Sequence, residues 1–328
     1  MSGVRPDRVL LVGCGFIGRK RAASLPTDVE LVGVHDLFTE RAASLAADFG
    51  TRSFDDLGEF LRSTPVGALV VVATTHDSLA STALQAIDAG HHVLVEKPGA
   101  RNDEEFALVV AAAEARGVEL RVGYNHRFHP SFVKLRELIS DLDTGPLMNI
   151  RARYGHGGRL GYESEWRADP ARGGGELLDQ GSHLIDLSRT FDPDLHLAFA
   201  ELATQFWDMP AEDNAWLALR SFSGTFAWLH ATWTEWKNLF AFEVTWRTAK
   251  AEITGLGGSY GPDRLVWHEM LPEMGPPRTQ EWNFAGPDRS WDLEMSDVLN
   301  ACAGLESVGA SGSDALAVLR IIEEARRT

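Results

Sequence analysis

The sequence predicts an α/β domain with a doubly wound parallel sheet, followed by an α+β domain with an open, mainly antiparallel sheet. Up to residue 124, short apolar runs alternate with helix-like segments, as in parallel strands joined by crossover helices. After residue 140, strand-like runs follow one another instead. We therefore predict domains 1–124 and 125–328, and leave open whether the C-terminal helix, 313–326, packs back on the first domain.

The first domain begins with a glycine-rich turn. The buried strand predicted at Val9–Val12 runs directly into the hexapeptide Gly13-Cys14-Gly15-Phe16-Ile17-Gly18. In a GxGxxG turn the first glycine makes the tight bend, the second admits a pyrophosphate, and the third lets helix and strand pack closely. The helix N-terminus, at Phe16 and Ile17, then faces the phosphates. This context predicts a dinucleotide-binding Rossmann domain.

Asp36 follows the next predicted strand, Val29–His35. A carboxylate at this distance after the glycine turn accepts hydrogen bonds from the ribose hydroxyls and repels a 2′-phosphate. The next two residues are Leu37 and Phe38, and the nearest arginine, Arg41, is expected one turn into the following helix. The sequence therefore predicts NAD, rather than NADP, as the cofactor.

Polar residues follow three further strands of this domain. Ligands bind at the carboxyl ends of parallel strands. We therefore predict cofactor contacts from Thr74-Thr75-His76 and Glu96-Lys97, and substrate contacts from Tyr124-Asn125. Pro98 keeps Lys97 out of helical geometry at the end of its strand. The alternative for Lys97 is an ordinary surface lysine.

In the second domain, three glycines, 173–175, precede a predicted helix. At about 100° per residue, its leucines and isoleucine fall on one face, and Asp179 and His183 fall on the opposite face. These two residues are four apart, so their side chains lie one above the other. A carboxylate beside an imidazole can orient it as a general base. The alternatives are a solvated helix face or, for His183, a packing histidine.

The strand-like runs of this domain are also expected to form an oligomer interface. The runs are 150–154, 197–207, 215–222, 225–233, 240–246 and 249–253, and we expect the last four to pair antiparallel. All ten tryptophans lie beyond residue 160, and those that cluster in these patterns are Trp207, Trp216, Trp228, Trp233 and Trp246. An aromatic-rich sheet face predicts a homo-oligomer, a dimer or tetramer. The alternative is a sheet covered by its own loops.

Charge and cysteine content restrict the partners. The formal net charge of −16 repels nucleic acid and anionic membrane surfaces. No apolar run reaches the roughly 18 residues of a membrane span, and residues 1–8 do not resemble a signal peptide. Cys14 and Cys302 are far apart and show no metal-ligand spacing. We therefore expect no bound metal. We also expect a reducing compartment, and hence a cytoplasmic protein.

Together these motifs resemble the glucose–fructose oxidoreductase / inositol dehydrogenase (Gfo/Idh/MocA) family over nearly the whole chain. The resemblance rests on the glycine turn, on Glu96-Lys97-Pro98, and on the three glycines followed by Asp179 and His183. It implies that Lys97, Asp179 and His183 flank the nicotinamide as the catalytic set. One departure is Thr74-Thr75-His76, where family members often have Thr-Pro-Asn. Another is Gln180, where many have an apolar residue.

The resemblance implies an NAD-dependent dehydrogenase acting on a secondary hydroxyl of a sugar, sugar nucleotide or sugar-like glycoside. Lys97 would hydrogen-bond the reacting oxygen, Asp179 would orient His183 or bind a second hydroxyl, and either Lys97 or His183 would be the formal base. Three alternatives stay open. They are an NAD-dependent glycosidase that oxidises its substrate transiently, a cyclitol or aminoglycoside dehydrogenase, and a non-catalytic NAD-binding sensor.

The second domain also supplies candidate substrate ligands. Gln180 adds a donor and an acceptor for sugar hydroxyls, and Trp166 and Arg167 border either the substrate or only their own loop. Arginines are concentrated here in an otherwise acidic chain: Arg151, Arg153, Arg159, Arg167 and Arg172. Arginine forks match diphosphate oxygens, so a nucleotide sugar is the first choice, with Arg153 as a predicted ligand. The alternative is that these arginines pair with Glu163, Glu165 and Asp169.

Overall fold

The computed structural model describes residues 3–328 and divides them into two compact units. The first unit extends to Asn125 and resumes over Trp291–Ala317. The second comprises His126–Ser290 and Val318–Thr328. Residues 291–312, which the sequence-based division placed in the second domain, thus group with the first unit, and the C-terminal helix, left open there, is divided after Ala317. The reason is packing, since Met295, Val298 and Leu299 join the apolar core that surrounds the first sheet.

The first unit contains a parallel sheet covered by helices. Its elements up to the unit boundary are β1 (Arg8–Val12), α1 (Phe16–Ala23), β2 (Glu30–His35), α2 (Thr39–Phe49), β3 (Arg52–Phe54), α3 (Leu57–Arg62), β4 (Leu69–Val72), α4 (His76–Asp88), β5 (His92–Glu96), α5 (Asp103–Arg116) and β6 (Leu120–Gly123). The parallel strands lie in the order β3-β2-β1-β4-β5-β6. This is the doubly wound order in which the strand sequence reverses between β1 and β4. The predicted fold class of the first domain is confirmed.

The second unit is built on a mainly antiparallel sheet. Its elements are α6 (Pro130–Asp141), β7 (Leu147–Gly155), α7 (Ser182–Phe191), β8 (His196–Ala203), β9 (Asn214–Arg220), β10 (Phe226–Thr232), β11 (Leu239–Trp246), β12 (Ala249–Thr254), β13 (Asp263–Glu269) and β14 (Arg278–Phe284). The chain then continues through α8 (Ser290–Cys302), β15 (Ala310–Ser311) and α9 (Gly312–Arg326). The strand order is β14-β13-β12-β11-β7-β10-β9-β8. The predicted class of the second domain is also confirmed.

Strand β7 occupies a central position in this sheet that the sequence did not predict. It lies between β10 and β11, antiparallel to β11 and parallel to β10. Of the antiparallel pairs expected among the last four predicted strands, β9 with β10 and β11 with β12 are confirmed, whereas the pairing of β10 with β11 is wrong. The long connection between β7 and β10 contains α7, β8 and β9. A connection of this length allows β10 to run parallel to β7. Strands β3, β13, β14 and β15 and helix α8 were not predicted.

Strand β7 has one buried and one exposed face. Ile150, Ala152 and Tyr154 are buried, whereas Arg151 and Arg153 are exposed. The buried side packs against α7 and the turn that precedes it. We call this side the inner face of the sheet and the opposite side the outer face.

The two cysteines are buried and form no disulfide. Burial raises the pKa of Cys14 and of Cys302 to about 12, so neither thiol is a ready nucleophile. Over residues 3–328, none of the helices is long and apolar enough to cross a membrane.

Candidate active site

The glycine turn lies where the strand order of the first sheet reverses. A Cβ atom on Gly18 would overlap the carbonyl oxygen of Gly13, so only glycine permits this packing of α1 on the turn. A Cβ on Gly15 would meet no heavy atom within 4 Å, which leaves open space outside the N-terminus of α1. The unpaired N–H groups of a helix's first turn bind phosphates. The residues present therefore fit a dinucleotide, and Phe16 and Ile17 begin the helix as predicted.

Asp36 joins the end of β2 to the glycine turn. Its Oδ2 accepts a hydrogen bond from the Cys14 N–H at 2.7 Å, and its Oδ1 accepts one from the Phe38 N–H at 2.8 Å. Arg41 lies in the first turn of α2, with its guanidinium over the Phe38 ring at 4.4 Å. The carboxylate is thus held beside the glycine turn, where a ribose is expected.

The segment after β4 lies beside the same turn. A Cβ on Gly13 would overlap the Ala73 carbonyl, which places Thr74 and Thr75 next to the glycine turn. Helix α4 begins at His76, so this predicted cofactor contact lies in the first turn of the helix, whereas Thr74 and Thr75 precede it. The Thr75 hydroxyl donates a hydrogen bond to the Asp77 carboxylate at 2.5 Å.

Glu96 is part of a buried ion-pair network at the end of β5. Arg21 donates from Nε to Glu96 and from Nη1 to Glu294, both at 2.6 Å, and its guanidinium lies 4.5 Å from the Trp291 ring centre. The Glu96 carboxylate, which was predicted to contact the cofactor, is therefore paired with Arg21 inside the first unit. It fixes the strand end that carries the next residue, Lys97, whose peptide bond to proline is cis.

Tyr124 and Asn125 follow β6, as predicted. Tyr124 is fully buried, and Asn125 begins a 3-10 turn, Asn125–Phe128. The structure thus brings the candidates of the first unit to the carboxyl edge of its parallel sheet. The remaining candidates belong to the second unit.

In the second unit, the three glycines lead into a turn anchored on Glu212. Gly175 has φ +108°, and a Cβ there would overlap the Glu212 carboxylate. That carboxylate accepts the Leu177 N–H at 3.0 Å. Leu177–Gly181 then form a π-helical turn that continues into α7. The sequence predicted an ordinary α-helix, and π turns often occur at functional sites.

The helix that carries the catalytic candidates is buried on all sides. Asp179 is 9% exposed, His183 is 5% exposed and Asp186 is 1% exposed, and the neighbouring leucines are equally buried. The alternative of a solvated helix face is therefore wrong. Burying charged groups is costly unless they are paired, so their partners determine what this helix can do.

Asp179 is paired with Arg167. The Arg167 Nε donates to Asp179 Oδ2 at 3.2 Å, and its Nη1 lies 3.5 Å from Glu165 Oε2. The guanidinium also stacks over Trp166, at 4.5 Å from the ring centre. Trp166 and Arg167, which the sequence left between substrate binding and loop packing, thus bear directly on a catalytic candidate.

His183 is bonded to a second histidine that the sequence analysis did not single out. The Nδ1 atoms of His183 and His126 are 2.5 Å apart, with the two rings nearly perpendicular. His126 is 6% exposed and its Nε2 lies 3.5 Å from the Tyr154 hydroxyl. Its position immediately after β6 was the available signal, because ligands gather at such strand ends.

Gln180 joins this group through a second tyrosine. Its Nε2 donates to the Tyr260 hydroxyl at 3.3 Å, while Oε1 is buried and accepts no hydrogen bond from the residues that the structure describes. Burial raises the pKa of Tyr260 to about 12, and hydrogen bonds from Gln180 and Tyr154 offset part of that rise. The unit thus presents several hydrogen-bonding side chains suited to hydroxyl groups.

A buried ion pair supports the same helix. The guanidinium of Arg127 binds Asp186 through two hydrogen bonds, of 2.8 and 2.6 Å, and Asp186 lies one turn beyond His183. This pair was also missed, since its members are far apart in the sequence. Among residues 3–328, no group of three or more His, Cys, Asp or Glu side chains is arranged to hold a metal ion.

The predicted arginine cluster is not assembled as a ligand site. Arg153 lies on the outer face of the sheet, whereas Tyr154 faces His183 from the inner face. Burial, together with Arg153, lowers the pKa of the neighbouring His230 to about 4. Arg159 pairs with Glu165 at 2.6 Å. The structure therefore separates Arg153 from the catalytic candidates, and pairing with acidic loop residues accounts for part of the cluster.

The comparisons with known proteins agree with this architecture. Residues 8–124 match the oxidoreductase family with an NAD-binding Rossmann fold, and residues 132–260 match the GFO/IDH/MocA C-terminal domain. The chain therefore belongs to the GFO/IDH/MocA family of oxidoreductases. The predicted family and the NAD-binding character of the first domain are confirmed.

Two curated relatives are named as sugar dehydrogenases. Glucose-6-phosphate 3-dehydrogenase of Bacillus subtilis is 31% identical over 185 residues, which are 55% of this chain and 52% of that protein. UDP-N-acetylglucosamine 3-dehydrogenase of Acidithiobacillus ferrooxidans is 33% identical over 130 residues, 40% of this chain and 41% of the relative. The chain thus spans about half the length of the first of these two relatives and less of the second.

Solved structures cover nearly the whole chain. That of the Acidithiobacillus enzyme has a TM-score of 0.82 at 23% identity, covering 98% of this chain and 96% of the other. The WlbA dehydrogenase from Bordetella pertussis, in complex with NADH and UDP-GlcNAcA, has a TM-score of 0.79 at 24% identity, covering 98% and 97%. At these identities the likeness establishes the fold.

Proposed function

We propose that this protein is an NAD-dependent dehydrogenase that oxidises the 3-hydroxyl of a glucopyranose ring carrying a further substituent. The observation that carries the proposal is the buried His183 in the first turn of α7, directly after the π turn, held by a hydrogen bond at Nδ1. The choice of carbon follows two relatives named as 3-dehydrogenases, of glucose 6-phosphate and of UDP-N-acetylglucosamine.

Three residues carry the proposed chemistry. His183 takes the hydroxyl proton, Lys97 hydrogen-bonds the oxygen and stabilises its developing negative charge, and Asp179 accepts a neighbouring hydroxyl. Bound NAD supplies the hydride acceptor. Gln180 and Tyr260 offer further hydrogen bonds to ring hydroxyls. Vicinal hydroxyls match this set of donors and acceptors better than a simple alcohol does.

The substituent on the sugar is left to experiment, because the arginines no longer favour a diphosphate. A panel of glucose 6-phosphate, UDP-N-acetylglucosamine, methyl glucoside, myo-inositol and an aminoglycoside, each with NAD, tests the proposal. We expect stoichiometric NADH with one of the glucopyranosyl compounds. Cleavage of a glycoside without net formation of NADH would show that the protein is a glycosidase and not a dehydrogenase. Formation of NADH only from inositol would show that the substrate is a cyclitol.

We also propose that the outer face forms a homo-oligomer interface, as a dimer or tetramer. Trp228 and Phe199 stack there with ring centres 6.4 Å apart, and both are more than 40% exposed. Trp233 and Trp246, predicted to belong to this interface, are instead buried in the core. Light scattering should give a multiple of 36.0 kDa, reduced by Trp228→Glu and unchanged by Trp236→Glu on an exposed loop. A wild-type monomer at micromolar concentration would exclude the interface.

A further inference from the structure

The bond between His126 and His183 restricts the protonation of both rings. Their Nδ1 atoms are 2.5 Å apart, so one nitrogen must carry a proton and the other must offer a lone pair. If the proton is on His126, the neutral His183 has its own proton on Nε2 and cannot accept another there. If the proton is on His183, its Nε2 carries the lone pair. The direction of this one bond therefore decides whether His183 can act as a base through Nε2.

The neighbouring tyrosines are compatible with a bond that His183 donates to His126. Tyr154 is buried, which raises its pKa well above the ordinary value, and it shares a side-chain hydrogen bond with Tyr260, whose ring centre is 5.4 Å away. This bond is compatible with donation by the Tyr154 hydroxyl. With its proton directed at Tyr260, the Tyr154 oxygen is an acceptor for the Nε2–H of His126, across a long contact of 3.5 Å. A neutral His126 with its proton on Nε2 has a lone pair on Nδ1. That lone pair accepts the Nδ1–H of His183.

We propose that His126 is a positioning residue, which accepts a hydrogen bond from His183 and thereby fixes the lone pair of His183 on Nε2. The inference rests on the proposed function, in which His183 takes the hydroxyl proton. When the proton arrives at Nε2, the Nδ1–H bond to His126 stabilises the resulting imidazolium. The proton on Nδ1 can also pass to His126, which leaves His183 neutral, so the pair shares one positive charge.

Other titratable and charged groups surround the pair and contribute to its titration. They are His129, stacked on His126 at 5.3 Å, Asp263 beside His129, Tyr154, Tyr260, Glu176, Asp179 and the ion pair of Arg127 with Asp186. Because these groups act together, the test needs variants that change only the acceptor. His126→Phe keeps a ring beside Phe240 and Tyr154 but removes the acceptor, whereas His126→Asn retains an amide oxygen near the position of Nδ1. His129→Phe is the same change at the adjacent histidine.

The first readout does not depend on activity. Nuclear magnetic resonance of the ¹⁵N-histidine-labelled protein without substrate, assigned with His183→Asn and His126→Phe, reports which ring nitrogen carries the proton. We expect the Nδ1–H form for His183 and the Nε2–H form for His126. The Nε2–H form of a neutral His183 would overturn the proposal, whatever the protein's substrate is.

The second readout is the pH profile of kcat/KM for substrate oxidation. Loss of the acceptor destabilises the imidazolium, so in His126→Phe the acid limb should move to lower pH by about one unit, and kcat should fall by about tenfold or more. His126→Asn should restore the limb to its wild-type position, and His129→Phe should leave it there. If kcat fell equally in His126→Phe and His126→Asn and the acid limb of the pH profile did not move, the role of His126 would be packing. Wild-type protein that forms no NADH from any sugar would refute the proposed function, while the nitrogen assignment still tests the pair.

Discussion

The two units form their candidate sites by different means. In the first unit, the glycine turn leaves open space beside Gly15, and one carboxylate, Asp36, holds that turn in place. In the second unit, the candidates are buried side chains whose partners are distant in sequence, such as His183 with His126 and Asp186 with Arg127. The difference teaches that changes at the glycine turn or at Asp36 should alter ligand binding, whereas changes to the buried side chains of the second unit should alter chemistry or stability.

The largest expected effect is a loss of kcat without a loss of NAD affinity, at the catalytic candidates. Lys97→Met and His183→Asn should each lower kcat by about 10²–10⁴-fold, because each removes a group that acts in proton transfer. Neither change should alter NAD affinity much, since the glycine turn and Asp36 remain intact. Steady-state kinetics and a fluorescence titration with NAD measure the two quantities. A folded variant with near-normal kcat would remove that residue from the catalytic set.

The next largest effect is expected on stability, at the buried ion pair of the second unit. Arg127→Met leaves the Asp186 carboxylate buried without its partner, which should lower the free energy of unfolding by about 3–5 kcal/mol. Arg264→Met removes an exposed pair with Glu281 in the same unit and should change stability little. Chemical denaturation compares the two variants. Similar small losses in both would show that the buried pair does not stabilise the helix.

The smallest of the three effects concerns cofactor choice in the first unit. We expect Asp36, which is held beside the glycine turn, to repel a 2′-phosphate, so NAD should bind more tightly than NADP by about two decades in Kd. Asp36→Ala should reduce the ratio of the NADP and NAD dissociation constants and weaken NAD binding, while the fold is retained. Fluorescence titrations of both cofactors with both proteins provide the ratio. Equal wild-type affinities would contradict the role given to this carboxylate.

The same contrast explains what the sequence could predict. The glycine turn and Asp36 were predicted because their function depends on contiguous residues with a fixed spacing from a strand. Asp179 and His183 were recognised by spacing as well, but their partners Arg167 and His126 are set by tertiary packing. A pattern of helical period cannot reveal which distant side chain meets a buried imidazole, nor can it distinguish a π turn from an α-helix.

Arg153 shows a different kind of error, one that the sequence could have prevented. In β7 the apolar residues Ile150, Ala152 and Tyr154 alternate with Arg151 and Arg153, so the two sets must lie on opposite faces of the sheet. Grouping the arginines by their density in the sequence ignored this alternation. Placing Tyr154 on the inner face would have favoured it over Arg153 as a neighbour of the candidate base.

The transfer of a labelled hydrogen tests the central claim most directly. The substrate identified by the panel would be prepared with deuterium at C3 of the glucopyranose ring and incubated with NAD and the wild-type protein. Mass spectrometry of the cofactor should then find deuterium in the NADH that accumulates, and His183→Asn should form it at least about a hundredfold more slowly. Deuterium that remains on the sugar, or that enters NADH only from another ring carbon, would contradict the account.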